Sequence, residues 1–193
     1  MQTIKRKAHE KKPLLYFNMQ SCMQMDNKKR IVAVTMPNEK DLEVMEETMT
    51  TLTSFGISYE VTILSAHRSP EQMFEYIKSA SDRGIEVIIA TASGAAHLPG
   101  MIAALTTLPV IAVPLKSTFL DGLDSVLSML QMPKGVPVAT VSVNGAKNAA
   151  ILACQIIALH DDVAKHEIEK LKTTLVDEVE EQSKNVRSKF ANR

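Results

Sequence analysis

Short apolar runs rich in valine and isoleucine recur along the chain from residue 31 onward, and segments with helical spacing of apolar positions separate them. The five runs are 31–35, 59–64, 87–92, 110–115 and 138–143. Strands that are apolar on both faces and alternate with helices are typical of a parallel sheet covered on both sides. Right-handed crossovers join strands of this kind. The pattern therefore predicts an α/β fold built on a five-stranded parallel sheet.

Five strand–helix units of this size predict a three-layer α/β/α sandwich of the flavodoxin-like type. In such sheets, ligands bind beyond the carboxyl ends of the strands, where the strand order reverses. The segments that directly follow the strands are therefore the places to look for a functional site.

The two ends of the chain differ from this middle part. Residues 1–30 carry clustered lysines and arginines around a short apolar piece, which predicts a poorly ordered extension and not a secretory signal. Residues 161–193 are strongly charged and predict one amphipathic helix with a narrow apolar stripe. We expect an α/β domain over 31–160 and a helix over 161–193 that packs on a neighbouring subunit. The stripe consists of Ile168, Leu171, Leu175, Val179 and Val186.

Composition narrows the class of protein. The chain has 193 residues, of which 45% are hydrophobic, and its 22 basic residues balance its 22 acidic residues. No global field favours nucleic acid or an anionic membrane, and no apolar run reaches the length of a membrane span. Cys22 and Cys154 form neither a metal-binding spacing nor a disulfide framework. We therefore expect a cytoplasmic protein without a nucleic-acid or membrane partner.

The segment 65–70 combines two side chains that suit catalysis. It follows the second apolar run and precedes a helical pattern that opens at Pro70, so it predicts a turn from a strand into a helix. His67 is a titratable group, Arg68 is a cation, and a helix N-terminus attracts anions. A proton carrier would thus lie beside an anion anchor. The alternative is that Ser69 is only an N-cap, while His67 and Arg68 are ordinary surface residues.

The loops after the first and third strands are further candidates. Asn38 and Asp41 have the spacing of a capping box, which either only starts a helix or also meets a ligand. Residues 91–101 are mostly small and predict a floor on which a flat substrate can lie. His97 is either a second site histidine or a buried residue that holds the loop in place. The residues alone favour the buried position.

Four stretches occur together and in a fixed order. They are Ser65-Ala66-His67-Arg68-Ser69-Pro70, Gly94-Ala95-Ala96-His97-Leu98-Pro99-Gly100-Met101, Gly122-Leu123-Asp124-Ser125 and Gln131-Met132-Pro133. Over residues 31–159 the chain resembles the N5-carboxyaminoimidazole ribonucleotide mutase family of purine biosynthesis, the catalytic subunit of bacterial phosphoribosylaminoimidazole carboxylase. The resemblance implies a homo-octamer that moves a carboxylate from an exocyclic nitrogen to ring carbon 4 of a small-molecule ribonucleotide. It implies no metal, nucleotide or other cofactor.

The resemblance also implies roles for individual residues. His67 matches the general acid/base, Arg68 a phosphate ligand and Asp41 a ligand of a ribose hydroxyl. Ser65 and the loop 94–97 match the surroundings of the base and the migrating carboxylate. The expected catalytic residues are His67 and His97, and the expected substrate-binding residues are Asn38, Lys40, Asp41, Ser65, Arg68, Ser93, Gly94 and Ala95.

The chain departs from the family pattern at two loops. The usual Gly-Ser-x-Ser-Asp after the first strand is Pro37-Asn38-Glu39-Lys40-Asp41 here, so both phosphate-binding serines are absent. We expect Asn38 to replace one hydroxyl and Lys40 to supply charge. Two usual glycines are Thr91 and Ser93, whose side chains are expected to crowd the floor of the site.

Three functions fit these residues. The first is the mutase. The second is the related carboxylase that uses aminoimidazole ribonucleotide and free carbon dioxide, against which the Ala-Ala-His-Leu-Pro-Gly loop argues. The third is a non-catalytic homologue that binds a nucleotide or serves as an assembly scaffold, which the altered loop after the first strand would suit.

Overall fold

The computed structural model describes residues 31–191, so the predicted extension over 1–30 lies outside the described residues. Five parallel strands form a single sheet in the order β2-β1-β3-β4-β5. This is the strand order of the flavodoxin-like fold, and it confirms the predicted fold class. The strands are β1 (Ile31–Met36), β2 (Ser58–Ile63), β3 (Ile85–Ala92), β4 (Val110–Pro114) and β5 (Ala139–Thr140).

Helices cover both faces of the sheet, as the two-sided apolar strands require. One buried cluster joins one face of the sheet to α1 and α5, and the other joins the opposite face to α2, α3 and α4. Along β1, Val32 and Val34 belong to the first cluster and Ala33 to the second. The helices are α1 (Leu42–Ser54), α2 (Pro70–Lys78), α3 (His97–Ala103), α4 (Leu123–Leu130), α5 (Ala146–Ile157) and α6 (Asp162–Ala191), and a 3₁₀ turn, Glu39–Asp41, precedes α1.

The fifth strand is shorter than its sequence predicts. Only Ala139–Thr140 are strand, although the backbone N–H groups of Val141 and Asn144 still donate to carbonyls of β4. The prediction of a strand over 138–143 is therefore wrong in length. β5 lies at one edge of the sheet, where it pairs with β4 only through Ala139 and Thr140.

The helix after β4 begins only at Leu123, nine residues after the strand ends. Asp121 and Gly122, which precede it, have φ of +54° and +96°. Such left-handed residues cannot be part of a right-handed helix. A Cβ at position 122 would also lie 2.7 Å from Cγ1 of Val143. The chain therefore makes a tight turn here before α4 starts.

The last two helices show how the charged tail is attached. The helix α5 is buried along one side, and Thr48 of α1 donates to the carbonyl of Ala146 over 3.0 Å. The first turns of α6 pack through Ile168 and Leu171 on the same cluster. Farther along, Leu175 and Val179 of the predicted stripe are exposed. No helix among residues 31–191 is long and apolar enough to cross a membrane.

Candidate active site

The candidate site lies where three neighbouring strands end. β1 pairs with β2 on one side and with β3 on the other, all in parallel, so the loops 37–41, 64–69 and 93–97 leave the same edge of the sheet. The chain reverses its strand order at this edge, because β1 lies between β2 and β3. This is the position at which doubly wound sheets bind ligands.

His67 and His97 meet at this edge. Nε2 of His67 lies 2.7 Å from Nδ1 of His97, and the rings stand edge to face, with centroids 4.8 Å apart and an interplanar angle of 85°. The ends of β2 and β3 are two strand spacings apart, about 9–10 Å, and the two rings span that gap. The loops after β2 and β3 thus contribute one histidine each to a single hydrogen bond.

The position of His97 differs from the one that its small, apolar neighbours favour. Both histidines are exposed, so the prediction that His97 is buried is wrong. Ala96 has φ of +50°, which ends the loop abruptly and makes His97 the first residue of α3. That left-handed turn directs the chain so that the imidazole faces His67.

The histidine pair can hold a proton in a defined place. In a hydrogen bond between two imidazoles, one nitrogen donates and the other accepts, so protonation of one ring suits a neutral partner. Two N–H groups that faced each other would leave this hydrogen bond without an acceptor. One proton therefore lies between the two facing nitrogens.

Arg68 is held next to this pair by the loop after β1. Its Nη2 donates to the carbonyl of Pro37 over 2.5 Å and to Oδ1 of Asn38 over 3.0 Å. Its Nε donates to Oγ of Ser65 over 3.2 Å, and Ser65 also accepts from the Arg68 backbone N–H. Ser65 itself is buried, whereas Arg68 is exposed. The site therefore presents a fixed guanidinium at its surface.

Asp41 completes the loop after β1. The backbone N–H of Asn38 donates to Oδ2 of Asp41 over 3.1 Å, so the predicted capping interaction is present. Burial raises the pKa of the Asp41 carboxyl above its usual value, and the hydrogen bonds from Asn38 oppose that rise. Lys40 lies between them in the chain with its side chain exposed.

Ser125 supports the loop that carries His97. Its buried hydroxyl accepts from the N–H of Gly94 over 2.9 Å and donates to the carbonyl of Leu115 over 2.9 Å. The stretch Gly122-Leu123-Asp124-Ser125 contributed to the family resemblance, but the sequence analysis predicted no role for Ser125. The signal was present, because a serine inside an apolar helix needs hydrogen-bond partners when it is buried.

Thr91 does not lie on the floor of the site. Its side chain is fully buried, and its hydroxyl donates to the carbonyl of Val113 in β4 over 2.8 Å. The expectation that Thr91 crowds a bound ring is therefore wrong, because its side chain lies inside the sheet and is hydrogen-bonded to β4. Ser93 is exposed on the loop, as are Ala95 and His97.

The structure connects most of the expected residues, but not all of them. Hydrogen bonds join the two histidines, and a second set joins Arg68 to Ser65 and to the loop that holds Asp41. Among residues 31–191, no hydrogen bond joins the side chains of Lys40 or Ser93 to either set. Across the same described residues, no three His, Cys, Asp or Glu side chains are grouped so that they could hold a metal ion.

Comparison with known proteins assigns this arrangement to a family. A family model described as AIR carboxylase matches residues 31–178.

The chain belongs to the AIR carboxylase family.

Relatives in this family share about half of the residues. The chain is 51% identical over 164 residues to N5-carboxyaminoimidazole ribonucleotide mutase of Pyrococcus horikoshii, covering 85% of this chain and 93% of that protein. It is 54% identical over 128 residues to phosphoribosylaminoimidazole carboxylase of Schizosaccharomyces pombe, covering 66% of this chain but only 23% of that longer protein.

A solved structure has the same fold. The crystal structure of Treponema denticola PurE matches 81% of this chain and 98% of its own, with a TM-score of 0.75 and 27% identity. The sequence resemblance over 31–159 is confirmed by these comparisons, and the family model extends it into the first half of α6.

Proposed function

We propose that this protein is a purine-biosynthesis enzyme that converts N5-carboxyaminoimidazole ribonucleotide to 4-carboxy-5-aminoimidazole ribonucleotide. The observation that carries the proposal is the 2.7 Å contact between Nε2 of His67 and Nδ1 of His97 at the strand edge where such folds bind ligands. The mutase of Pyrococcus horikoshii, at 51% identity, supports the choice of substrate.

His67 serves as the acid and then as the base of this reaction. In the first half, the bond between the carboxylate carbon and the exocyclic nitrogen breaks, carbon dioxide leaves, and His67 gives that nitrogen a proton. In the second half, ring carbon 4 attacks carbon dioxide, and the proton on carbon 4 returns to His67. An imidazole can both give and take a proton, which suits both transfers. His97 accepts or donates the hydrogen bond that keeps the ring of His67 in place.

The loop residues bind the rest of the substrate. Arg68 faces the phosphate with its fixed guanidinium, and Asp41 accepts a hydrogen bond from a ribose hydroxyl. Asn38 and Lys40 stand where the family usually has serines, and Ser65, Ser93, Gly94 and Ala95 surround the imidazole ring and the migrating carboxylate. Each hydrogen bond to the phosphate that the lost serines made is worth roughly 1.5–3 kcal/mol. We therefore expect weaker substrate binding than in relatives with the serine pattern.

The deciding experiment is turnover of freshly made N5-carboxyaminoimidazole ribonucleotide by the purified protein, with His67→Asn as the control. Robust turnover that disappears in His67→Asn supports the mutase and makes the altered loop a tolerated variation. Absence of turnover in a folded, assembled protein contradicts the proposal and favours the non-catalytic homologue.

A second candidate is the carboxylase that takes aminoimidazole ribonucleotide and free carbon dioxide. The 54% identity to the Schizosaccharomyces pombe carboxylase supports this second candidate. The same assay distinguishes the two functions when aminoimidazole ribonucleotide plus bicarbonate is the substrate. Equal product formation from both substrates would indicate the carboxylase, whereas a strong preference for the carboxylated substrate indicates the mutase.

The enzyme acts as a homo-octamer in this proposal, with the helix over 161–193 reaching a neighbouring subunit. Two features support it: both histidines are exposed in the single chain, and Leu175 and Val179 leave an apolar stripe uncovered on α6. Released carbon dioxide is better retained in a closed pocket, which a neighbouring subunit would complete. Light scattering should give a mass of about eight chains, and a chain ending at residue 174 should assemble poorly.

We also propose how the chain is divided into domains and where the enzyme is located in the cell. Residues 31–160 form the catalytic domain, residues 1–30 form an extension outside it, and the enzyme works in the cytoplasm. The free, buried thiol of Cys154 suits a reducing compartment. Deletion of residues 1–30 should leave turnover unchanged, and loss of turnover would assign the extension a role in the site.

A further inference from the structure

The guanidinium of Arg68 is fixed on two of its three nitrogens. Nε donates to Oγ of Ser65, and Nη2 donates to both the carbonyl of Pro37 and Oδ1 of Asn38. Nη2 has two hydrogens, so these two acceptors occupy both of them. Within residues 31–191, no acceptor is bonded to Nη1. An anion at this exposed side chain would therefore meet the two N–H groups of Nη1.

The side chain of Asn38 is turned toward the protein. Its Oδ1 accepts from Arg68, and its backbone N–H donates to Oδ2 of Asp41. The orientation of the amide follows from its partner, because its NH₂ group would meet another donor if it faced the guanidinium. A serine hydroxyl binds phosphate as a donor, and the only donor group on the Asn38 side chain is its NH₂. A side-chain hydrogen bond from Asn38 lowers the pKa of the Asp41 carboxyl, so this NH₂ faces Asp41, while Oδ1 faces Arg68.

We infer that Asn38 is a positioning residue for Arg68, the proposed phosphate ligand, and that it does not bind the phosphate itself. This inference rests on the proposed function. A guanidinium held at Nε and Nη2 keeps one orientation, so less conformational entropy is lost when the phosphate binds. Asn38 therefore compensates for the absent serines indirectly, by ordering the cation that remains.

The test measures the dissociation constant of the stable product, 4-carboxy-5-aminoimidazole ribonucleotide, by calorimetry, together with KM and kcat. Asn38→Ala should weaken product binding by about 10-fold and raise KM similarly, with kcat within about two-fold, because only ordering of a charged hydrogen-bond donor is lost. Asn38→Ser should behave like Asn38→Ala, since the shorter side chain does not reach Nη2. Glu39→Gln, in the same exposed turn, is the matched control and should change binding by less than about two-fold.

A double-mutant cycle with Arg68→Ala separates indirect from direct action. If Asn38 acts through Arg68, then Asn38→Ala should change product binding by less than about two-fold in the Arg68→Ala background. An equal loss in both backgrounds would mean that Asn38 contacts the ligand directly, and the inference would be wrong. Full affinity of Asn38→Ser together with weak binding of Asn38→Ala would also overturn it. Circular dichroism of each variant verifies that it is folded.

Product binding does not depend on turnover, so the two proposals can fail separately. A protein that binds product with the expected pattern but does not turn over the carboxylated substrate would contradict the mutase and leave the role of Asn38 intact. Turnover of the carboxylated substrate, with product binding unchanged in Asn38→Ala, would support the mutase and contradict the role of Asn38. Failure of the unsubstituted protein to bind product would contradict both.

Discussion

Nε2 of His67 and Nδ1 of His97 are 2.7 Å apart, although thirty residues separate them in the chain and β1 separates their strands in the sheet. The orientation of each ring therefore depends on the other. A change at His97 should alter how His67 handles its proton without removing the proton carrier itself.

We expect His97→Leu to lower kcat by about 100-fold, because positioning of a general acid/base contributes on that scale. His97→Asn is the matched variant, since its side-chain oxygen can accept a hydrogen bond close to the position of Nδ1, and it should retain kcat within about 10-fold of the unsubstituted enzyme. Steady-state kinetics with the carboxylated substrate check this. A normal kcat in His97→Leu would show that His67 works alone.

Ser125→Ala should affect both stability and catalysis. The substitution leaves the N–H of Gly94 and the carbonyl of Leu115 without their buried partner, which costs about 2 kcal/mol in free energy of unfolding. It also frees the loop that carries His97, so kcat should fall. Urea unfolding and steady-state kinetics measure the two effects. Ser128→Ala, one turn later on α4, is the matched control, and equal losses in the two variants would contradict the prediction.

The surroundings of Tyr76 indicate how the free energy of unfolding changes at alkaline pH. Its hydroxyl donates to Oε1 of Glu60 over 2.5 Å, and Arg83 binds the same oxygen over 2.9 Å. Burial raises the pKa of Tyr76 far above its usual value, the hydrogen bond to Glu60 and that residue's negative charge raise it further, and Arg83 opposes the rise. The unfolded chain releases this proton near pH 10 while the folded chain keeps it. The contribution of Tyr76 is therefore complete below pH 10 and is lost as the pH rises further.

The variant Tyr76→Phe tests whether Tyr76 stabilises the protein less as the pH rises above 10. At pH 8 it should be less stable than the unsubstituted protein by about 1 kcal/mol, because a hydrogen bond to a carboxylate is lost. The difference should shrink between pH 10 and pH 11, since phenylalanine has no proton to release. Tyr59→Phe, on the same strand as Glu60, is the comparison for urea unfolding at each pH. A gap between Tyr76→Phe and the unsubstituted protein that stays constant up to pH 11 would contradict the assigned direction.

The thiol of Cys154 should be inert in the folded protein. It is fully buried in α5, and burial raises its pKa to about 12. The thiolate is the reactive form, so iodoacetamide at pH 8 should leave Cys154 unmodified until urea unfolds the chain. Mass spectrometry in a Cys22→Ser background measures this directly. Labelling of Cys154 at equal rates with and without urea would mean that α5 opens readily.

β1, β3 and β4 could be predicted from the sequence because they are rich in apolar residues and buried on both faces. β1 to β4 lie within two residues of the predicted runs, and these include the edge strand β2. β5 was predicted less well, because only Ala139 and Thr140 pair as strand although the apolar run continues to Val143. The start of α4 depends on the left-handed Asp121, which composition does not indicate.

The candidate site could be predicted only loop by loop. The segments with His67 and His97 were identified from residue type and from family resemblance, but their contact depends on the left-handed turn at Ala96 and on the strand between them. The hydrogen bond between Asn38 and Arg68 was not predicted for the same reason. Contacts between loops depend on three-dimensional placement, which residue spacing along a single chain does not give.

The position of β1 between β2 and β3 has a consequence for refolding. The contact between Arg68 and Asn38 needs β1 and β2 to be paired, and the contact between His67 and His97 needs β3 to be paired with β1 as well. A refolding intermediate could contain helices and even paired β3 and β4 without any site at all. Recovery of activity would then follow the insertion of the first strand between two strands that come later in the chain, and helical signal would return before catalysis.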